Sequence, residues 1–335
     1  MTNRERMKAV LNGNMTDRLP VVEWATWWNL TVDRWNKEGA PKLDGPDTLQ
    51  NYFGLDPLRQ IWIAPRDNEC PKPAHHGAGI METEEDYEKI LPHLFSEESL
   101  DSAMETAKQW AEGHERGDFA TWLTLEGFFW FPRTLFGIEG HLYSFYDEPE
   151  LLHRINRELT DFHIRCLEKI LPVFQPEFMT FAEDMSYNHG PMLSKALFDE
   201  FMLPYYREVI PLLKEHGVKV LIDTDGNVEP LIPWFQEAGI EGVLPLERQA
   251  GVDVNRIRRQ YPEWIMMGGY DKTIMHLGED AMRQEFERLL PAIRSGRYVP
   301  SVDHQTPPDV SMEQYRVYVK WLKEYVSIHV NEHMK

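Results

Sequence analysis

Short β-branched or apolar runs alternate with long amphipathic stretches along the whole chain, and this alternation restricts the fold most. A strand that is followed by a helix and then by another strand pairs in parallel with its neighbour. We therefore predict an α/β fold, a (β/α)₈ TIM barrel formed by residues 1–335 as a single domain. The eight predicted strands lie at 19–22, 60–64, 121–125, 178–182, 218–222, 242–246, 265–268 and 298–302.

The amphipathic stretches carry the apolar spacing of helices. In the stretch 150–171, Leu151, Ile155, Leu159 and Phe162 recur at the helical period and form one apolar stripe. A doubly wound open sheet is the alternative fold, but no G-x-G-x-x-G motif follows the first predicted strand. The predicted helices lie at 150–171, 195–216, 228–238, 252–260, 278–295 and 312–329.

A short N-terminal helix is predicted to precede the barrel, at residues 3–12. Thr2 is followed three residues later by Glu5, which is the spacing of a capping box, and Asn12-Gly13 ends the stretch.

The composition excludes several classes of function. A net charge of −20 over 335 residues disfavours nucleic acid and anionic membrane surfaces, because phosphate binding requires clustered Lys and Arg. No uninterrupted apolar run approaches the length of a membrane-spanning helix. Cys70 and Cys166 are the only cysteines and form no CxxC motif. We therefore expect a cytoplasmic protein.

Acidic residues occur at or just after most of the predicted strand ends. In a barrel these ends meet at one face, where catalytic groups usually lie. Carboxylates that face one another in a confined space repel, so a metal ion, a cationic substrate or bound protons must compensate their charge. The acidic residues in question are Glu23, Glu126, Glu183, Asp184, Asp223, Asp225, Glu247, Asp271 and Asp303.

Aromatic residues are concentrated in the same predicted loops. They are interpreted either as core packing or as the walls of an apolar pocket with acidic points, which suits a methylammonium or another weakly hydrated cation. On the second interpretation we predict a substrate-binding set of Glu23, Trp24, Trp27, Trp28, Glu126, Asp184, Tyr187, Tyr270 and Asp271. Phe128, Phe129 and Trp130 follow the third strand and belong to the same aromatic group.

Several short motifs, taken in their order and spacing, carry a family resemblance. They are Asp17-Arg18-Leu19-Pro20, Glu183-Asp184-Met185, Asp223-Thr224-Asp225-Gly226-Asn227, Gly268-Gly269-Tyr270-Asp271 and Asp303-His304. With these motifs the chain resembles the uroporphyrinogen decarboxylase superfamily, which includes the decarboxylases and the corrinoid-linked methyltransferases. The resemblance implies a (β/α)₈ barrel.

Two departures from the family pattern bear on function. The decarboxylases carry arginines after the first strand that hold the carboxylates of a tetrapyrrole, whereas the stretch 22–28 here has none. Uroporphyrinogen is therefore not the expected substrate. The zinc ligands of the methyltransferases, His-x-Cys and a distant Cys, correspond to Asp223, Asp225 and His304. This set suits zinc, manganese or iron, so a divalent metal is predicted there as one alternative, with no cofactor as the other.

Three functions stay open. The first is a methyltransferase-like enzyme that acts on a small methylated substrate or a methyl-corrinoid, with a corrinoid protein as a partner and a metal as Lewis acid. The second is a cofactor-free decarboxylase, in which Asp225, Glu183 or His304 protonates a carbanion. The third is a non-enzymatic binding barrel. The predicted catalytic residues are Glu183, Asp225, His304 and Glu247, and the exposed aromatics also allow a homodimer.

Overall fold

Seven parallel strands form one curled sheet in the computed structural model, which describes residues 1–25, 27–42 and 46–333. The sheet order is β1-β2-β3-β6-β7-β8-β9, and β4 and β5 form a separate antiparallel hairpin. The strands are β1 (Leu58–Ile63), β2 (Ala120–Glu126), β3 (Phe178–Ala182), β4 (Ser186–Tyr187), β5 (Gly190–Pro191), β6 (Lys219–Asp223), β7 (Gly242–Leu244), β8 (Ile265–Tyr270) and β9 (Tyr298–Val302).

Helices connect successive strands of the sheet and pack their apolar faces against it. The architecture is therefore a TIM-barrel-like α/β fold, as predicted, and it forms a single domain. The predicted span 1–335 includes residues 26, 43–45, 334 and 335, which lie outside the described residues. The helices are α1 (Asn3–Leu11), α2 (Asn29–Lys37), α3 (Pro46–Phe53), α4 (Glu84–Ile90), α5 (Glu97–Arg116), α6 (Trp130–Phe136), α7 (Ile138–Asp147), α8 (Pro149–Ile170), α9 (Lys195–Phe201), α10 (Leu203–Glu215), α11 (Ile232–Ala238), α12 (Val254–Gln260), α13 (Glu279–Arg294) and α14 (Met312–His333).

The predicted first strand, 19–22, is wrong. This segment is extended but joins no strand ladder, and its backbone groups bond to other parts of the chain: the Leu19 N–H donates to Val326 O at 3.2 Å, and Val21 O accepts from Asp56 N at 2.8 Å. Pro20 has no N–H to donate. The described sheet therefore has seven strands, and the extended segment lies beside β9, where the Trp24 indole N–H donates to Val302 O.

Most predicted helices agree with the structure within a few residues, and one predicted helix is divided in two. The N-terminal helix is confirmed as α1, and its capping box forms between Thr2 and Glu5. The single helix predicted at 195–216 is two helices, α9 and α10. Pro204 lies in the first turn of α10, where its missing N–H is tolerated because the first N–H groups of a helix have no partner within it.

No helix in the described part of the chain is both long enough and apolar enough to span a membrane.

The register of the sheet sets the position of the acidic loops. Ala182 at the end of β3 pairs with Asp223 at the end of β6, and Asp223 pairs with Leu244 at the end of β7. The chain that leaves β3 therefore runs beside the chain that leaves β6. This brings Asp184, Asp223 and Asp225 to the same face of the barrel.

Candidate active site

A cavity of about 590 Å³ opens at the carboxyl ends of the strands. Four tryptophans line it, and so do four carboxyl groups, a histidine and two glutamines. No lysine or arginine is among the described residues that line it. The tryptophans are Trp24, Trp62, Trp122 and Trp130, the acids are Glu183, Asp184, Asp223 and Asp225, and the remaining polar residues are Gln60, His304 and Gln305.

Glu183 uses its carboxylate to hold the loop that follows β2. Its two oxygens accept hydrogen bonds from the backbone N–H groups of Phe128, Phe129 and Trp130 at 2.8–2.9 Å, and from the hydroxyl of Tyr206. Burial raises the pKa of Glu183 to about 7, and these hydrogen bonds oppose the rise. Its carboxylate therefore holds the loop that carries Trp130, and the proton-donor role remains a prediction of the sequence.

Two further acids join neighbouring loops. Glu247 accepts a hydrogen bond from Gly226 N at 2.9 Å. Asp303 accepts from Arg248 N at 3.0 Å and from Lys272 N at 3.2 Å, and the Lys272 ammonium lies 3.5 Å from its carboxylate. Burial raises the pKa of Asp303 to about 6. Glu247 therefore anchors the loop that carries Asp225, and its catalytic role remains a prediction of the sequence.

Glu23 and Glu126, the first two of the predicted acidic residues along the chain, are buried and have partners away from the cavity. Glu126 is 3% exposed and accepts two hydrogen bonds of 2.6 Å from Arg66. Glu23 accepts from Ser301 at 2.5 Å and from Tyr315 at 3.0 Å, and burial raises its pKa to about 8. Neither lies among the residues that line the cavity, so the predicted substrate contacts of Glu23 and Glu126 are wrong.

The state of Glu23 leads to a prediction about stability and pH. Its pKa is higher in the folded protein than the ordinary 4.5, so the folded state keeps the proton and the unfolded state loses it as pH rises. Each such proton lowers the free energy of unfolding by ~1.4 kcal/mol per pH unit between the two pKa values. We expect Glu23→Gln to gain about 2 kcal/mol relative to the wild type between pH 6 and pH 8, measured by urea unfolding. Parallel curves for the two proteins would contradict this assignment.

Three carboxyl groups line the cavity with few hydrogen-bond partners: Asp184 accepts one from the backbone of Asp225, and Asp223 and Asp225 accept none from the described residues. No described residue donates a side-chain or backbone hydrogen bond to the Asp223 carboxylate, and the nearest charged partner of Asp225 is His304, at 3.8 Å. Burial and the neighbouring acids Asp184 and Asp225 raise the pKa of Asp223. Burial, Asp184 and Glu247 raise that of Asp225 to about 7. These groups therefore carry both the unpaired charge and the exchangeable protons of the cavity.

His304, which follows β9, is the titratable neighbour of Asp225. Burial lowers its pKa, and so does the nearby Lys272, while Glu247 raises it. Its ring lies edge-on to Trp24, with 6.3 Å between the ring centroids. A neutral imidazole in this position can exchange a proton with Asp225.

Only some of the aromatic and acidic residues that were predicted to bind substrate line the cavity. Trp24 and Asp184 line the cavity, and their contact with a substrate remains a prediction. Trp27 packs against Trp35 and Tyr315 in the core, and Tyr270 packs against Phe286 and Tyr318. The predictions for Trp27 and Tyr270 as substrate contacts are therefore wrong, because their rings fill the interior.

Three remaining predicted contacts lie outside the lining of the cavity. Trp28 is 41% exposed at the start of α2, and Tyr187 is 47% exposed in the β4–β5 hairpin. Asp271 caps the turn after β8 by accepting from Thr273 N at 2.9 Å. The sequence predicted their loops correctly but not the direction of their side chains.

The predicted metal ligands do not form a chelating set. In the part of the chain that the structure describes, no three His, Cys, Asp or Glu side chains are arranged to hold a metal ion. His304 Nε2 lies 3.8 Å from Asp225 Oδ2. A metal at Asp223, Asp225 and His304 stays a prediction of the sequence, and no chemical step below depends on it.

Gln60, Trp62 and Trp122 also line the cavity, although the sequence analysis did not single them out. Alternate residues of a strand face the same side of the sheet. Gln60 and Trp62 lie two residues apart on β1, and Trp122 is the register partner of Gln60 on β2. This alternation is the signal that would have found them, once the inward face of β1 was known.

A family model supports the resemblance that the motifs suggested. Residues 83–325 match the model described as Uroporphyrinogen decarboxylase (URO-D), which is well over half of the chain. The chain belongs to the uroporphyrinogen decarboxylase family. Within that family, the absence of Lys and Arg from the described lining of the cavity fits the missing arginines of the stretch 22–28.

The curated relatives are distant. The uroporphyrinogen decarboxylase of Pseudomonas putida (strain GB-1) is 24% identical over 188 residues, which is 53% of this chain and 50% of the relative. That of Thermosynechococcus vestitus is 21% identical over 188 residues, with the same coverage. The chain therefore matches about half the length of these curated relatives.

A solved structure matches over nearly the whole length. The methyltransferase from Methanosarcina mazei superposes with a TM-score of 0.65 at 15% identity, and the match covers 97% of this chain and 99% of that chain. At this identity the likeness establishes the fold, and the chemistry must be argued from the residues of the cavity.

Proposed function

We propose that this member of the uroporphyrinogen decarboxylase family transfers a methyl group from a small methylated amine or ether. The observation that supports this most is the composition of the cavity: tryptophan walls, free carboxyl groups, and no Lys or Arg in its described lining. Aromatic faces attract methylated cations, and carboxylates balance their charge. A polyanionic substrate would find no positive partner there.

The atom that loses the methyl group must leave with the electron pair and without a negative charge: a quaternary nitrogen does so unaided, an ether oxygen needs an added proton, and a protonated amine must keep its own proton. When the bond from the methyl carbon to nitrogen or oxygen breaks, the electron pair stays on that atom, and the methyl group passes to a nucleophile. An uncharged amine or alcohol leaves readily, whereas an amide or alkoxide anion does not. Asp225, with a pKa of about 7 and His304 beside it, supplies this proton to an ether oxygen or keeps it on an amine nitrogen.

The methyl acceptor is proposed to come from outside the chain, as a corrinoid on a partner protein. Trp62 is 46% exposed although it lines the cavity, and Tyr187 on the hairpin after β3 is 47% exposed. Exposed aromatics beside an opening are typical of surfaces that bind another protein. A partner that covers this opening would also exclude water from the cavity.

Decarboxylation is the second candidate. The names of the curated relatives favour it, and the same Asp225 proton would quench a carbanion left by loss of CO₂. Such a substrate needs a cationic group to hold its carboxylates, and the described lining of the cavity provides neither Lys nor Arg. Methyl transfer is therefore the better supported of the two.

The test is transfer of an isotopic label. The protein is incubated with ¹³C-methyl-labelled trimethylamine, or with a labelled methyl aryl ether, and with reduced cobalamin as methyl acceptor. We expect methylcobalamin that carries the label, detected by NMR, with one demethylated product for each methyl group transferred. If no methylated amine or ether yields labelled methylcobalamin while a porphyrinogen releases CO₂, the proposal is wrong and decarboxylation replaces it.

A further inference from the structure

Gln60 presents an unused hydrogen-bond acceptor to the cavity. Its side-chain nitrogen donates to the Thr124 hydroxyl at 2.7 Å, while its carbonyl oxygen has no hydrogen-bond partner among the described residues and is not sealed from the cavity. A primary amide has both donor and acceptor capacity, so fixing one end fixes the direction of the other. The acceptor end is therefore the one left for a ligand.

A buried network below Gln60 fixes this orientation. Thr124 also accepts the indole N–H of Trp122 at 3.0 Å, and its oxygen lies 2.8 Å from the hydroxyl of Thr180. The Thr124 oxygen therefore accepts from Gln60 and Trp122, and either hydroxyl of the Thr124–Thr180 pair can be the donor between them. Thr124 and Thr180 are 0% and 1% exposed, so no water competes for these contacts.

Acceptors predominate among the polar groups of the cavity. The indole N–H groups of Trp24 and Trp122 are already donated to Val302 and Thr124. The carboxyl groups of Asp184, Asp223 and Asp225 line the same cavity, and those of Asp223 and Asp225 accept no hydrogen bond from the described residues. A ligand that complements this set must supply hydrogen-bond donors and positive charge in one small group.

We propose that Gln60 is a specificity-determining residue, whose carbonyl oxygen accepts a hydrogen bond from the N–H of a protonated methylamine. The substrate class is then a methylated ammonium ion that keeps at least one N–H. Quaternary ammonium ions, which have none, are rejected. This inference rests on the proposed methyl transfer and narrows it. It agrees with the role of Asp225, because a quaternary nitrogen has no proton for Asp225 to keep in place.

The experiment compares two cations of equal charge by calorimetric titration at pH 7. Trimethylammonium chloride has one N–H, and tetramethylammonium chloride has none. A hydrogen bond from a charged donor contributes enough that we expect trimethylammonium to bind the wild type about tenfold more tightly. Equal affinities, or tighter binding of tetramethylammonium, would overturn the inference while leaving a methylated cation as the ligand. If neither cation binds, the inference is wrong, and the proposed methyl transfer is left with an uncharged methyl ether as its substrate, which the label-transfer assay tests.

Variants at Gln60 test the residue itself. Gln60→Leu removes the acceptor, and we expect the affinity ratio to fall to about twofold or less. Gln60→Glu keeps one oxygen as an acceptor for the ligand, while Thr124 can donate to the other oxygen, so the preference for trimethylammonium is retained. Gln109→Leu, on the exposed face of α5, is the matched control and leaves the ratio unchanged. A Gln60→Leu protein that keeps the wild-type ratio overturns the proposal, and so does a Gln60→Glu protein that loses it.

Discussion

Replacing Asp225 by asparagine is expected to lower kcat for methyl transfer by about 10²- to 10⁴-fold, the usual contribution of a positioned acid or base. Asparagine keeps the shape of the side chain but cannot exchange a proton with His304 or the substrate. Binding should weaken less than turnover, because Asp184 and Asp223 still line the cavity. The measurement is kcat and KM from the label-transfer assay, with the dissociation constant from calorimetry.

The pH dependence gives an independent check on Asp225. Its pKa is raised to about 7, so it holds a proton below that pH and loses it above. With a methyl aryl ether as substrate, which needs a proton from Asp225, we expect kcat in the wild type to fall as pH rises through about 7, and this fall to be absent in Asp225→Asn. Asp161→Asn, on the exposed face of α8, is the matched control and should behave as the wild type does. If Asp225→Asn retains turnover within a few-fold, Asp225 is not the acid; if it abolishes binding and the wild type shows no turnover, the protein is a binding barrel.

Replacing Glu183 by glutamine is expected to destabilise the protein by about 3 kcal/mol, because an amide nitrogen would then face backbone N–H donors that need an acceptor. Phe129 and Trp130 donate to one oxygen, while Phe128 and Tyr206 donate to the other, so neither orientation of the amide avoids the conflict. The free energy of unfolding from urea denaturation at pH 7.5 is the measurement. Glu168→Gln, exposed on α8, should change it by less than about 0.5 kcal/mol.

Gly127 provides a second test of the same contact. A Cβ at this position would lie 2.0 Å from the carboxyl carbon of Glu183, which four hydrogen bonds hold in place. Gly127→Ala should therefore destabilise the protein and, by displacing Trp130, weaken ligand binding in the cavity. Loss of less than about 1 kcal/mol in both Glu183→Gln and Gly127→Ala would mean that Glu183 does not anchor this loop.

The alternation of strands and helices was sufficient to predict the barrel, and the positions of acids after strands were sufficient to predict an acidic face. Neither pattern could separate the acids that hold loops from those that face the cavity. Glu183 lies more than 50 residues along the chain from the backbone N–H groups that donate hydrogen bonds to it. These contacts therefore depend on the three-dimensional fold and cannot be predicted from the sequence pattern. Glu183 and Asp184 are adjacent in sequence and both line the cavity, yet Glu183 accepts four hydrogen bonds and Asp184 accepts only one, from the backbone of Asp225.

The same limit applied to the aromatic residues and to the first strand. Trp24 and Trp27 lie on one short segment, but Trp24 lines the cavity while Trp27 packs in the core. Both residues are tryptophan, so hydrophobicity cannot distinguish them, and the path of the backbone determines where each side chain lies. For the segment 19–22, the β-branched residues suggested a strand, whereas Pro20 and the contact with Asp56 gave its backbone other partners.

The central claim is that the cavity selects a methylated cation over a polyanion. The most direct measurement is a pair of calorimetric titrations of the wild-type protein at low ionic strength, one with trimethylammonium chloride and one with uroporphyrinogen under anaerobic conditions. Saturable binding of trimethylammonium, weakened by Asp223→Asn, and no measurable binding of the porphyrinogen is the predicted result. Tighter binding of the porphyrinogen would contradict it, because carboxylates could then enter a cavity whose described lining offers them no positive charge.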